Sequence, residues 1–270
     1  MAGPSPADIT IAAGEANPPP GGTELRGHVG TPDEVNLTYS GIGSFATRSN
    51  RVTIAADPTA DEDQVRNIIV GPVLAILMHL RGFLVMHASC VAFGDLAVAF
   101  LGDSQMGKST IATACYLAGA RYVADDATAF DVADTTVVPA YPRAKLWPES
   151  AQAVGLDPAD WPEVFRGMGK RSVRVAERFD EKPIELARVY VLASGPVPRL
   201  TRIEPADAFV EVVRHSYAKD LLDMTHARVS HFRQVTSLCE RVSVRRLTTG
   251  EPLARVQDLP NLVQADLAKD

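Results

Sequence analysis

A mixed α/β domain preceded by a small β-rich region is the fold class this sequence predicts, on three observations. An apolar strand pattern runs straight into a glycine turn and then a helical pattern in "FLGDSQMGKSTIATA", Phe100–Ala114. Short alternating segments broken by Gly and Ser-Asn fill "VNLTYSGIGSFATRSNRVTIAAD", as antiparallel strands do. From about residue 83 onward, strand-like runs such as "ELARVYVLAS" and "RVSVRRL" are interleaved with helical stretches, the pattern of a layered α/β core.

Residues 1–28 are rich in Pro, Gly and Ala and poor in large apolar groups, so a disordered tail is expected there. Residues 29–82 form the small β region and a connecting helix, "DEDQVRNIIVGPVLAILMHL", whose Asp61 to Asp63 suit a helix N-terminus. Pro72 inside that helix lacks a backbone donor and should kink or restart it. Residues 83–270 make up the main domain. Its first part, "GFLVMHASCVAFGDLAVAF", reads as two β-rich runs around a Gly94-Asp95 hairpin turn. The helix "STIATACYLAGA" follows the glycine turn and ends at Gly119, and "RYVADDATAFDV" is the next strand. Further helices are expected near "ESAQAVGL", from Pro205 to Leu222, from His226 to Arg241 and at the C-terminus.

A chain of 270 residues with 46% hydrophobic and 22% charged residues is long enough to bury an ordinary core. Its net charge of −6 argues against a nucleic-acid partner held by phosphate neutralisation. The longest apolar run, Ile68 to Leu80, falls short of the roughly 20 residues a bilayer requires, so no membrane partner is expected. The N-terminus lacks the basic start and apolar run of a signal peptide, which makes the cytoplasm the expected location. Cys90, Cys115 and Cys239 show no metal spacing and read as core thiols.

Chemistry enters with Gly-x-x-x-x-Gly-Lys-Ser at Gly102, Gly107, Lys108 and Ser109, a Walker A phosphate-binding loop. Gly102, Asp103, Ser104, Gln105, Met106, Gly107, Lys108, Ser109 and Thr110 are therefore the expected nucleotide contacts. In such a loop the lysine bridges the β- and γ-phosphates and the serine hydroxyl joins the Mg²⁺ shell. No Asn-Lys-x-Asp guanine reader and no Leu-Ser-Gly-Gly stretch occurs, which argues against a switch GTPase or a transporter ATPase. "YVADDA" places Asp125 and Asp126 at the end of a strand expected beside the loop strand. Neighbouring residues on a strand face opposite ways, so one carboxylate can hold Mg²⁺ while the other accepts a proton. His87, in an apolar strand before the loop, is either a core residue or a partner of one acid.

"LVMHAS", "GDSQMGKST" and "YVADDA", in that order, resemble the C-terminal domain of the HPr kinase/phosphorylase family and its shorter single-chain relatives. His87 stands twenty-one residues before Lys108 and Asp125 seventeen after it, and the resemblance covers roughly residues 83 to 150. It implies a P-loop kinase domain with a mixed β-sheet and flanking helices, using ATP and Mg²⁺ to phosphorylate a serine of a small protein or peptide. By the same resemblance Asp125 is the general base, His87 its partner, and Asp126 with Ser109 holds the metal. "EVFRGMGKRS" carries one residue more than the family's phosphorylase stretch, so the reverse reaction is not expected. Arg166, Lys170 and Arg171 in "RGMGKRSVRV" are candidate contacts to nucleotide phosphates or an acidic substrate. Arg143 and Trp147 are weaker candidates, and His215, His226 and His231 take no role. The rival readings are a kinase for a small-molecule hydroxyl and a nucleotide-binding regulator without transfer; self-association into a homo-oligomer stays open.

Overall fold

A computed structural model describes residues 9–165, 167–179, 181–217, 219, 221–250 and 255–269. The chain divides into two compact units, one from Met1–Leu84 with Ala218–Arg233 and the other from Val85–Tyr217 with Gln234–Asp270.

In the first unit the described residues form a six-stranded sheet of order β1-β6-β5-β4-β3-β2. The strands are β1 (Thr10–Ala13), β2 (Thr23–Leu25), β3 (His28–Gly30), β4 (Glu34–Tyr39), β5 (Gly43–Arg48) and β6 (Arg51–Ala56). Only β1 runs parallel to its neighbour, Thr10 opposite Arg51. Val35, Leu37, Phe45 and Val52 are buried from alternating positions, as the strand period requires. The expected tail over 1–28 is thus corrected: Thr10–Ala13 and Thr23–Leu25 are strands. Both are short and exposed at every position, so their order comes from backbone pairing with β6 and β3 and leaves no hydrophobic pattern to read.

Asp61 caps α1 (Glu62–Ile68), accepting bonds from the backbone of Asp63 and Gln64. A π-helical turn, Ile69–Val73, holds Pro72 and hands over to α2 (Leu74–Leu80). The missing proline donor is absorbed by that wider turn.

The chain returns to this unit at Ala218–Arg233, so the expected single domain over 83–270 is also corrected. A short helix, Leu221–Met224, brings Met224 to Gly30, where a Cβ on the glycine would stand 3.0 Å from the Met224 side chain. The two residues lie 194 positions apart in sequence, and the contact has no local signal. Beside it, His79 Nε2 bonds Thr225 Oγ1 at 2.9 Å. Burial, with His231 adding to it, pushes His79 down to about 4. The folded chain keeps this imidazole neutral while the unfolded chain takes up a proton below about pH 6.5. By linkage, stability falls as pH drops from about 6.5 to about 4 and is unaffected by this group above that window. Urea midpoints measured near pH 7 and pH 5 should therefore separate, and His79→Gln should narrow the separation; a separation that His79→Gln leaves unchanged would refute it.

In the second unit the described residues include a nine-stranded mixed sheet containing the path β10-β8-β9-β15-β12-β11-β7. Its strands are β7 (Leu84–Met86), β8 (Ala88–Phe93), β9 (Leu96–Leu101), β10 (Arg121–Ala124), β11 (Thr128–Asp131) and β12 (Thr136–Val138). A separate ribbon pairs β13 (Arg143–Leu146) with β14 (Arg171–Arg174), and β15 (Ile184–Ala193), β16 (Arg199–Arg202) and β17 (Ser243–Thr248) complete the set. β8 and β9 form the expected antiparallel hairpin, whereas β9, β15 and β17 run parallel. α3 (Lys108–Leu117) packs on β8 and β9, the closing helix Leu259–Leu267 packs on α3, and the unit also holds α4 (Pro148–Ala153) and α5 (Pro205–Arg214). Phe100, Tyr190, Ile111, Cys115 and Tyr122 share one buried cluster, with Phe100 stacked on Tyr190 at 5.9 Å. Cys90 and Cys115 are buried, while Cys239 is only half-buried. No helix among the described residues is long and apolar enough to cross a membrane.

Candidate functional site

β9 ends at Leu101 and α3 begins at Lys108, so the turn between them carries the glycine motif. Gly107 takes φ 89° as the residue before the helix, a left-handed conformation suited to glycine. It offers no side chain to cap α3, which leaves the first backbone N–H groups of that helix as an anion site. Lys108 is buried, and its Nζ donates to the carbonyls of Gly102 at 2.8 Å and Asp103 at 3.0 Å. Burial pushes this ammonium down, against the nearby acids Asp126, Asp125 and Asp103.

Two strand positions bring the remaining groups. His87 is the one residue between β7 and β8, and because Ala88 pairs with Leu101 it stands beside the start of the loop. β10 pairs with β8 and not with β9. The expectation that the Asp pair borders the loop strand is therefore corrected, since β8 lies between. Nor do the acids diverge by strand alternation: both follow the end of β10, and Asp126 turns the chain with φ 73°. Aspartate tolerates that left-handed conformation better than most residues.

The two carboxylates have unlike surroundings. Asp125 is 2% exposed and accepts from Ser89 Oγ at 2.6 Å, Ser109 Oγ at 2.8 Å and the Lys145 backbone N–H at 2.8 Å. Asp126 meets Lys145 Nζ at 3.0 Å and lies 3.4 Å from His87 Nδ1. Burial alone would raise the Asp126 carboxyl, but Lys145, with His87 and Lys170 behind it, holds it below its ordinary value. His87 is lowered by burial and by Lys108. Its Nδ1 stands 2.8 Å from the Asp126 carbonyl; an oxygen there can only accept, so Nδ1 is assigned the proton and Nε2 is the acceptor nitrogen. The motif resemblance put the base at Asp125 and the metal at Asp126; in the structure Asp125 is bonded to the loop serine and Asp126 lines the open cavity.

That open site is a cavity of about 630 Å³ lined by Ser104 through Thr110, His87, Asp126, Lys145, Trp147 and Lys170 among others. Gly102 and Asp103 do not line it, and the Asp103 carboxylate pairs instead with Arg214. Of the basic tract, Lys170 reaches the cavity. Arg171 does not: it donates to the Trp161 carbonyl at 3.1 Å and lies 3.7 Å from Glu163, bracing its own loop. Arg166 lies outside the described residues. Trp147, given little weight from sequence, lines the cavity, as do Met168, Val256 and Leu259. Lys145 was missed altogether. Its signal is a lysine inside a strand whose following residues are buried, "RAKL", where a charge needs a partner.

The donors suit Mg²⁺ held together with a nucleotide. A hydroxyl and a carboxylate touch at Ser109 and Asp125, and Mg²⁺ takes one or two such hard oxygens with the rest from phosphate and water. Among the described residues no group of three or more His, Cys, Asp or Glu side chains is placed to hold a metal ion by itself.

No family model and no curated protein sequence matches this chain. Among solved structures, the Hpr(Ser) kinase/phosphatase from Coxiella burnetii is similar at 13% identity over 68% of this chain and 97% of that one, with a TM-score of 0.32. An overlap that low supports no inference about this chain's activity.

Proposed function

We propose that this chain is a kinase of the HPr kinase type, transferring the γ-phosphoryl group of ATP, with Mg²⁺, to a hydroxyl. The observation that carries the reading is one cavity holding Lys108 and Ser109 at the start of α3 together with Asp126 and His87. The N–H groups of the loop and Lys108 would bind the phosphates, and Ser109 with Asp125 would hold the metal. Mg²⁺ held there would supply charge neutralisation to the phosphate oxygens. Asp126 would orient the acceptor hydroxyl and take its proton, and His87 would prop Asp126 through its carbonyl and carboxylate. The choice of a serine in a small protein or peptide rests on the motif resemblance, and residence in the cytoplasm belongs to the same proposal.

Incubating the protein with γ-labelled ATP, Mg²⁺ and a fractionated lysate tests it. Label is expected in a protein or peptide fraction. Label in metabolites would name a small-molecule acceptor, and ATP binding without any labelled fraction would make the chain a nucleotide-binding regulator.

A further inference from the structure

One residue touches both acids. The Lys145 backbone N–H donates to Asp125 Oδ2 at 2.8 Å, while its Nζ bonds Asp126 Oδ2 at 3.0 Å. The lysine is 6% exposed, so its charge is spent locally, on Asp126 and on the Tyr141 ring 5.9 Å away. β13 fixes it: Lys145 pairs with Ser172 across the ribbon, and Leu146 and Trp147 continue along the cavity wall. Asp126 itself sits at a left-handed turn outside any strand, where no ladder hydrogen bond sets the direction of its side chain. We propose that Lys145 is a positioning residue, whose ammonium aims the Asp126 carboxylate at the acceptor while its backbone independently aims Asp125 at Ser109. This rests on the phosphotransfer reading above.

The two contacts come from different parts of the residue, so substitution separates them. Changing the side chain leaves the backbone bond to Asp125, and the metal half of the site, in place. In Lys145→Met the affinity for Mg²⁺-ATP, read by calorimetry, should stay within about twofold of the parent. Release of labelled phosphate with water as the acceptor should fall on the order of 10²-fold, since a displacement of about 1 Å in a reacting group costs that much. Lys145→Arg should recover part of the loss, and Lys145→Met added to Asp126→Asn should cost nothing further.

A folded Lys145→Met with unchanged turnover overturns the proposal. So does a parallel loss of Mg²⁺-ATP affinity, which would place Lys145 in the nucleotide clamp, or an added loss in the Asp126→Asn background, which would place it on the phosphoryl group. Lys145→Gln, which keeps the length and removes the charge, serves the same measurements if the methionine variant does not fold. A crystal structure of either variant gives a readout independent of activity. Asp126 should be displaced by about 1 Å or more with the Asp125–Ser109 bond intact, and an unmoved Asp126 refutes the role. A parent protein that binds no Mg²⁺-ATP would sink the kinase reading, and the structural readout would still decide what Lys145 does.

Discussion

Lys108→Ala should weaken Mg²⁺-ATP binding roughly 10- to 150-fold. A hydrogen bond to a charged group contributes about 1.5–3 kcal/mol, and each 1.4 kcal/mol is about tenfold in affinity. Lys108 is the buried ammonium of the glycine loop, and in the structure its Nζ is held by the carbonyls of Gly102 and Asp103. Alanine takes the donor from those carbonyls as well, a stability cost of about 1–3 kcal/mol where they stay dry. Lys108→Arg should not restore binding, because a planar fork does not reproduce a compact point charge on a short path. Calorimetry checks the affinity and thermal melting checks the fold. Unchanged affinity in a folded alanine variant would mean that the nucleotide does not sit in this loop.

The second large effect separates the acids. Asp126→Asn should lower turnover about 10²–10⁴-fold, the range of general-base catalysis, with Mg²⁺-ATP still bound. Asp125→Asn should act differently. Three donors converge on that carboxylate, from Ser89, Ser109 and the Lys145 backbone. An amide keeps one oxygen for the serines but turns an N–H₂ toward the Lys145 N–H, donor against donor. The variant should therefore lose about 1–3 kcal/mol of stability and need more Mg²⁺ for half-maximal turnover. His87→Ala should slow turnover less than Asp126→Asn does, since it acts through that acid. Magnesium titrations and melting curves on all three variants test the division. A raised Mg²⁺ requirement in Asp126→Asn, with none in Asp125→Asn, would restore the opposite assignment.

The glycine loop was legible because its chemistry is written in contiguous residues: Gly107, Lys108 and Ser109 need only the strand before them and the helix after. The hairpin that brings His87 to the loop was legible for the same reason, Gly94-Asp95 being a local turn. What depended on distant partners was not. β1 is ordered by β6, some forty residues on, and Met224 by Gly30. The acids were found, but strand alternation could not say which faces the cavity, because both follow the end of β10 and Asp126 sits in a left-handed turn. In the sequence Lys145 could be read at most as a strand lysine in need of a partner; that its partners are the two acids shows only once β13 is placed against them.

The position of β8 between the loop strand and the acid strand has a consequence for how such a site can change. Although β8 separates the two strands, the Asp125 carboxylate, just past the end of β10, reaches Ser109 in the first turn of α3 directly at 2.8 Å, and the fully buried Ser89 of β8 bonds beside it. Its hydroxyl bonds the same oxygen of Asp125 that Ser109 uses. Ser89 thus holds one Asp125 oxygen from the strand side while Ser109 holds it from the helix side, and the two hydroxyls together fix where that carboxylate points. In the proposed site the surroundings of Asp125 can therefore change through Ser89, a buried residue that does not line the cavity.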